Sequence, residues 1–458
     1  MVQFKLSLMM FLQFFIWGAW FPLVFGYLPS LGFSDGQQAM ILNCFPIAAL
    51  VGLFFSNQFA DRNFAAERFL AFSHLVGGLC MLGLFFIRRP DEQTPAPFWP
   101  FFALMLVHCL LYVPTISITN SIAFANLKDP ATGFGPVRLW GTIGWIAASL
   151  PFVFILVDWV KVPSFADAGF VGWISTALAP ENALKGDLFR RATALTFAVS
   201  GIASLLLAVF SLFLPHTPPK PPSESGESLA WLGAVKLLSY PFIFVLFVVT
   251  FMDATIHQMY FVWTERFLTS SAQAVEGLNT GVGIPSNWAM PIMSVGQVAE
   301  IGTMAILGYV LKSLGWRTTM IIGILGHAVR FSVFAFAPVG WVAISANLLH
   351  GICYAFFFAT VYIFVDEYFP KDIRASAQGL FNALILGLGP MAGNTLGPML
   401  GAWYRVGGTD QEPILNFQQI FVVPAALALV AALLLLVAFW PPKRTEQQPA
   451  VTLGVAAH

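Results

Sequence analysis

Apolar residues run along this chain in blocks of about 20 with short polar breaks between them, and that pattern predicts the architecture. A helix that crosses a bilayer needs about 20 mostly apolar residues to cover a hydrocarbon core of about 30 Å. Twelve blocks meet that requirement: 7–28, 38–57, 67–87, 99–125, 136–158, 192–214, 239–268, 288–313, 317–338, 340–366, 375–404 and 417–440. The first is longer than the roughly 7–15 residues of a signal-peptide core, so it reads as an uncleaved span. The long polar break near the middle, His216 to Ser228, is rich in Pro, Ser and charge and reads as a linker. The prediction is an all-α membrane protein. It has six spans in residues 1–214, a linker at 215–236, six more spans in 237–440 and a tail at 441–458. The breaks at 159–191 and 269–287 are long enough to fold over an opening.

Composition agrees with this picture. Charged residues make up 10 % of the 458, against about 25 % in soluble domains. Hydrophobic residues reach 58 %, with 47 Phe, and mean hydropathy is +0.78. Zero net charge gives no footing for nucleic acid. Cys44, Cys80, Cys109 and Cys353 sit in apolar runs at spacings that match no zinc motif, so neither a metal nor a disulfide framework is expected. No nucleophile elbow, zinc-protease motif or P-loop is present. That excludes the common catalytic sets and a pump driven by its own ATP hydrolysis, and leaves an ion gradient or downhill movement as the energy source. An even number of spans puts both termini on one side. With that side cytoplasmic, the inner segments carry roughly twelve Lys and Arg and the outer ones about eight.

The two sets of spans carry traces of a repeat. Asn57, Asp61, Arg62 and Phe64 follow the second span, and Gly308, Lys312, Ser313 and Gly315 follow the eighth at the same spacing. The first copy resembles the G-x-x-x-D-R-x-G loop of the major facilitator superfamily in its acid–base pair, and the second resembles it in its two glycines. Such a loop would latch and release as the halves rock, as in transporters built from repeated halves around a midplane site. Arg138 with Gly141 in the fifth span echoes Arg374 with Gly379 in the eleventh. Gly389, Gly393, Gly397 and Gly401 form one helical stripe, which reads as a surface for close packing.

Charge inside a span costs roughly 2.5–3.5 kcal/mol on insertion scales, so each case needs a reason. Glu300 lies about 13 residues from the end of its span, near the midplane at about 1.5 Å per residue, and Gln297 shares its face. It is the leading candidate for carrying a proton. Asp253 and His257 are four residues apart and form either a proton relay or a local ion pair. Gln258 beside them offers both a donor and an acceptor. Arg138 either reaches a solute or is a structural counterpart of Arg374, and Arg330 reads as structural. In the first span Gln13, Trp17 and Trp20 share a stripe that would form one wall of a site or simply pack.

Several of these stretches resemble the bacterial nucleoside–proton symporters of the major facilitator superfamily. They are Leu12–Trp20, Val137–Gly144 with its Arg138 and Trp140, Gln297–Glu300, and Ile373–Gly379 with Arg374 and Gln378. The resemblance runs nearly end to end. It implies an inner-membrane monomer of twelve spans in two six-helix bundles, N-in and C-in, that imports a nucleoside-like solute with protons and needs no cofactor. By position it implies a pocket of Arg138, Thr142, Gln258, Gln297 and Glu300, with Trp145 stacking on the base where the family has Phe. Gln13, Trp17 and Tyr354 complete the expected solute contacts. Phe261 stands at a family Asn, His350 at a Tyr, Tyr354 at a Phe, and Ala355 at an acidic position. Loss of that acid leaves Glu300, Asp253 and His350 as expected proton carriers. A sugar or oligosaccharide symporter uses the same residue types, and a transport-inactive sensor is a distant alternative.

Overall fold

The computed structural model of the chain describes residues 2–52, 64–91, 93–219, 235–369, 371–409 and 412–441. The N-terminal helices are α1 (Val2–Ser30), α2 (Asp35–Leu42), α3 (Cys44–Val51), α4 (Ala66–Phe86), α5 (Phe98–Asn126), α6 (Pro130–Ala147), α7 (Leu150–Ile155), α8 (Phe165–Ala177), α9 (Gly186–Thr193) and α10 (Leu195–Ser211). The C-terminal ones are α11 (Pro241–Thr269), α12 (Ser286–Phe336), α13 (Gly340–Ala346), α14 (Leu349–Cys353), α15 (Thr360–Tyr368), α16 (Lys371–Asn382), α17 (Gly389–Trp403) and α18 (Phe417–Ala438). Wide π turns at Tyr354–Ala359 and Ala383–Leu388 join α14 to α15 and α16 to α17. A short antiparallel hairpin, β1 (Arg405–Gly408) with β2 (Pro413–Leu415), precedes α18. Among the described residues, ten helical stretches are long and apolar enough to cross a membrane. This is an all-α, multi-pass membrane fold.

Local chemistry explains where the helices depart from the hydropathy blocks. The expected spans 288–313 and 317–338 form one 51-residue helix broken at Gly315, whose φ of 73° and ψ of 173° reverse the chain. Only glycine takes that conformation without strain, so Gly315 has a clear structural reason. Gly308 faces open space instead. The second block starts early, at Asp35, because Ser34 and Gln37 cap each other's backbone N–H groups, and it breaks at Asn43. Its far end, with Asn57, Asp61 and Arg62, lies outside the described residues. The stretch 159–191 is not an open loop. It contains α8, and Val157 bridges Ala183. The start of the expected linker is pinned to α4, where Glu67 accepts hydrogen bonds from the Thr217 backbone N–H (3.0 Å) and His216 Nδ1 (2.8 Å). Residues 220–234 and 442–458 lie outside the described residues.

Glycines set how closely the helices approach. On α17 the stripe packs directly on α11: a Cβ at Gly393 would stand 2.7 Å from Gln258 Cβ, and one at Gly397 would stand 2.6 Å from Val262 Cγ1. Gly141 does the same between α6 and α1, where a Cβ would stand 2.7 Å from the Phe14 ring. Contacts between N-terminal and C-terminal helices gather toward the hairpin end. There Arg190 pairs with Glu412 (3.0 Å) and donates to Gly26 O (2.9 Å). Ser286 Oγ donates to Leu184 O (2.5 Å), and Asn394 Nδ2 to Leu42 O (2.9 Å). At the opposite end, where the described chain begins and ends, a cleft of about 480 Å³ opens along Gln3, Phe4, Ser7, Phe11, Val137 and Trp140.

Because α17 has no room for a side chain on this stripe, Gly393→Val is expected to lower stability by about 1–3 kcal/mol through overpacking. Gly302→Ala, at a glycine facing open space, is expected to be neutral or slightly stabilising. Thermal unfolding of the purified variants in detergent measures the difference.

Candidate functional site

The site begins where α6 meets α1. The glycine contact at Gly141 brings the two helices together and lays the Arg138 guanidinium over the Phe14 ring, 4.0 Å from its centroid, a cation–π arrangement that lowers the cost of a charge at this depth. Across from it, α12 brings Glu300 and the first π turn brings Tyr354, and the three groups act on one another electrostatically. None of the three makes a hydrogen bond to a described residue, and neither does Thr142, one turn from Arg138. All four are half-buried. A cation, a carboxyl and a phenol thus come within electrostatic reach of one another with their polar ends unused, and the Thr142 hydroxyl lies one turn along α6 from the cation, which suits a polar solute and a proton.

Aromatic faces close one side. Trp17 stacks on Phe45 (centroids 4.6 Å, planes 17° apart) and meets Trp145 edge-on at 5.1 Å. Trp17 and Trp145 are both half-buried, and the Trp17 indole N–H has no hydrogen-bond partner. Phe21 and Phe261 touch across the site at 5.2 Å. Two amides enter from the C-terminal helices. Gln258 donates its Nε2 to Asn394 Oδ1 (2.7 Å), and Gln297 Nε2 stands 3.3 Å from His350 Nε2.

Two expected members are placed differently. Gln13 is fully buried in a network among the N-terminal helices, where its Nε2 donates to Thr115 Oγ1 (2.9 Å) and its Oε1 accepts from His74 Nε2 (2.9 Å). Its amide holds α1, α4 and α5 together and is not offered to the site. The stripe it shared with Trp17 and Trp20 is therefore divided, since Trp20 packs on His108 and Phe197. The pairing of Asp253 with His257 gives way to a partner on another helix, with Asp253 Oδ1 3.7 Å from His327 Nε2. His257 instead lies against His350, ring centroids 4.9 Å apart.

Asp253, His327, Arg330 and His350 form one cluster, each at most 1 % exposed. Arg330 donates Nη2 to His327 Nδ1 (2.9 Å) and Nη1 to His350 Nδ1 (3.0 Å), and lies over the Tyr260 ring at 4.1 Å. Arg374, the expected conformational residue, pairs with Asp366 at 3.2 Å and donates to Phe369 O (3.4 Å), tying α15 to α16. Asn394 and His327 are the important residues not singled out from the sequence. The signal for Asn394 was present, as a lone amide inside the glycine stripe.

Arg330 and Asp253 are the basic and the acidic group of this dry cluster and are linked through the His327 ring, so removing one leaves the other without its counterpart. Asp253→Asn is expected to cost about 3–5 kcal/mol. The double variant Asp253→Asn with Arg330→Met is expected to be more stable than the single one. Thermal unfolding of the two variants decides it.

The chain matches the family described as nucleoside H+ symporter over residues 1–166 and 161–444. The YegT protein of Escherichia coli (strain K12) is 31 % identical over 421 residues, covering 91 % of this chain and 86 % of its own. Xanthosine permease of the same strain is 27 % identical over 449 residues, covering 96 % of each. The crystal structure of nucleoside transporter NupG superposes with a TM-score of 0.76 at 22 % identity, over 96 % of this chain and 99 % of that one, which shows a shared fold. The chain belongs to the nucleoside H+ symporter family and is a proton-coupled secondary transporter of a nucleoside-like solute.

Proposed function

We propose that the protein imports a nucleoside together with a proton across the bacterial inner membrane, acting as a monomer of twelve crossings in two six-helix units, 1–214 and 237–440, with both termini cytoplasmic. The ten long stretches support the count once α2–α3 is taken as one further crossing and α12, broken at Gly315, as two. With the termini inside, the hairpin end faces outward and is closed, and the cleft beside α1 and α6 faces the cytoplasm. The names of xanthosine permease and NupG support a nucleoside as the solute.

The observation that carries this reading is the unpartnered group of Arg138, Glu300 and Tyr354 in the interior. Ionised Glu300 holds Arg138 electrostatically. A proton taken from outside neutralises Glu300 and frees Arg138 to bind the solute with Thr142, Gln258, Gln297 and Tyr354, while Trp145 and Trp17 present flat faces to the base. Once the halves rock and the site opens inward, loss of the proton restores the carboxylate, which draws Arg138 back from the solute. Each ligand favours the form of the site that the other needs, and that mutual preference is the coupling. Asp253 and His350 support the site from within the buried cluster, which leaves Glu300 as the proton carrier.

Two outcomes are expected in proteoliposomes. Glu300→Gln, locked in the neutral form, retains exchange of labelled for unlabelled uridine but fails to concentrate uridine under an inside-alkaline gradient. Persistent uphill accumulation would contradict the assignment. Trp145→Ala weakens uridine binding by about 1–3 kcal/mol, the usual worth of an aromatic face under a base, read as a rise in Kd with folding intact.

A further inference from the structure

The hydrogen bonds behind Gln258 and Gln297 determine which end of each amide meets the solute. An amide carries an acceptor at one end and two donors at the other, and only its surroundings decide which way it points. For Gln258 the fixed point is a backbone carbonyl. Leu42 O can only accept, so Asn394 turns its Nδ2 group toward it, at 2.9 Å. Asn394 Oδ1 is thereby directed at Gln258, which must answer with its own Nε2, at 2.7 Å. The end of Gln258 that remains is the oxygen. It is absent from the buried unpaired atoms, so it keeps accessible surface.

For Gln297 the fixed point is a guanidinium, which can only donate. Arg330 points Nη1 at His350 Nδ1 (3.0 Å) and Nη2 at His327 Nδ1 (2.9 Å). Both Nδ1 atoms must therefore be bare acceptors, and both imidazoles carry their hydrogen on Nε2. His327 directs that N–H toward Asp253, 3.7 Å away. His350 directs its own toward the Gln297 amide at 3.3 Å. The Gln297 atom placed there is Nε2, but two N–H groups cannot share a bond, so the amide is assigned the reverse orientation, with its oxygen toward His350 and its NH2 group toward the site. His257 and Tyr260 also face His350 through their rings, and Tyr260 spends its hydroxyl on Asn347 Oδ1 at 2.8 Å. Neither competes for the His350 Nε2–H.

We infer that Arg330 through His350, and Leu42 through Asn394, fix the two glutamine amides in opposite polarity, so that the site selects a solute offering an acceptor to Gln297 and a donor to Gln258. The inference deepens the nucleoside reading and rests on it for the solute, but not for the histidine chemistry. Arg330, His350 and Asn394 are positioning residues, and of these five side chains only the two glutamines touch the solute. A neutral heterocycle with a carbonyl or ring-nitrogen acceptor and an N–H or O–H donor fits, whereas a solute with acceptors alone leaves Gln258 unanswered.

Two measurements test this. Nitrogen-15 spectra of histidine-labelled protein at neutral pH, with His350 assigned through His350→Gln, are expected to show a bare Nδ1 and a protonated Nε2. A protonated Nδ1 would overturn the proposal whatever the solute. The second measurement is uridine binding to Gln297→Glu. A carboxylate still accepts from His350, so thermal stability is expected to hold, while the donor to the solute disappears and affinity falls by about 100-fold or more, as when a buried polar group loses its partner. Acidification, which protonates the new carboxyl and restores a donor, is expected to recover part of it. Unchanged affinity in Gln297→Glu would overturn the polarity assignment, whereas failure of the wild type to bind uridine, with His350 as expected, would overturn only the nucleoside reading.

Discussion

A charge in the interior of a membrane protein has no water to turn to, and every other feature of this site follows from how that need is met. The protein meets it in two ways. Arg330 is answered at both Nη atoms by imidazole nitrogens and on its face by the Tyr260 ring, with Asp253 reached through His327, all buried. Arg138 is answered only in part, by the Phe14 face and by the field of Glu300. The enclosed cation ties the helices around it together, and the cation without hydrogen bonds is available to a ligand. Proton-coupled transport needs that second condition, because a site already content with itself would have no reason to take either a solute or a proton.

The same division runs through the neutral polar groups. Gln13, His74 and Thr115 satisfy one another and bind N-terminal helices together. Gln258 and Gln297 have one end tied to the scaffold and the other left for the site. The glycines of α6 and α17 allow this arrangement by bringing helices close enough for short side chains to reach across. Among the described residues, closure at the hairpin end includes a few hydrogen bonds and the partly exposed ion pair of Arg190 with Glu412. Exposed pairs contribute about 0–1 kcal/mol, which suits an end that must open again in each cycle.

Much of this was legible in the sequence, for reasons of unequal strength. Blocks of about 20 apolar residues locate spans because the bilayer imposes their length. The break at Asn43 and the two π turns left no such mark, since they depend on what packs beside them. Arg138 and Glu300 stood out because charge in a span is costly. Gln13 misled because an amide on an apolar helix serves packing and binding equally well, and only its partners decide between them. Asp253 was matched to His257 by helical spacing, but His327 on another helix lies nearer, and a pairing between helices cannot be read from spacing within one. Gly315 was singled out for a loop motif and proves to be the residue that reverses the longest helix.

The central claim is that solute and proton move together through one site. The most direct measurement uses lightly buffered proteoliposomes that contain the purified protein and a lumenal pH indicator, with uridine added outside. The account predicts that uridine entry acidifies the lumen, and that a protonophore collapses uridine accumulation driven by an inside-alkaline gradient. Uridine that only equilibrates, with no proton movement and no response to the protonophore, would contradict it.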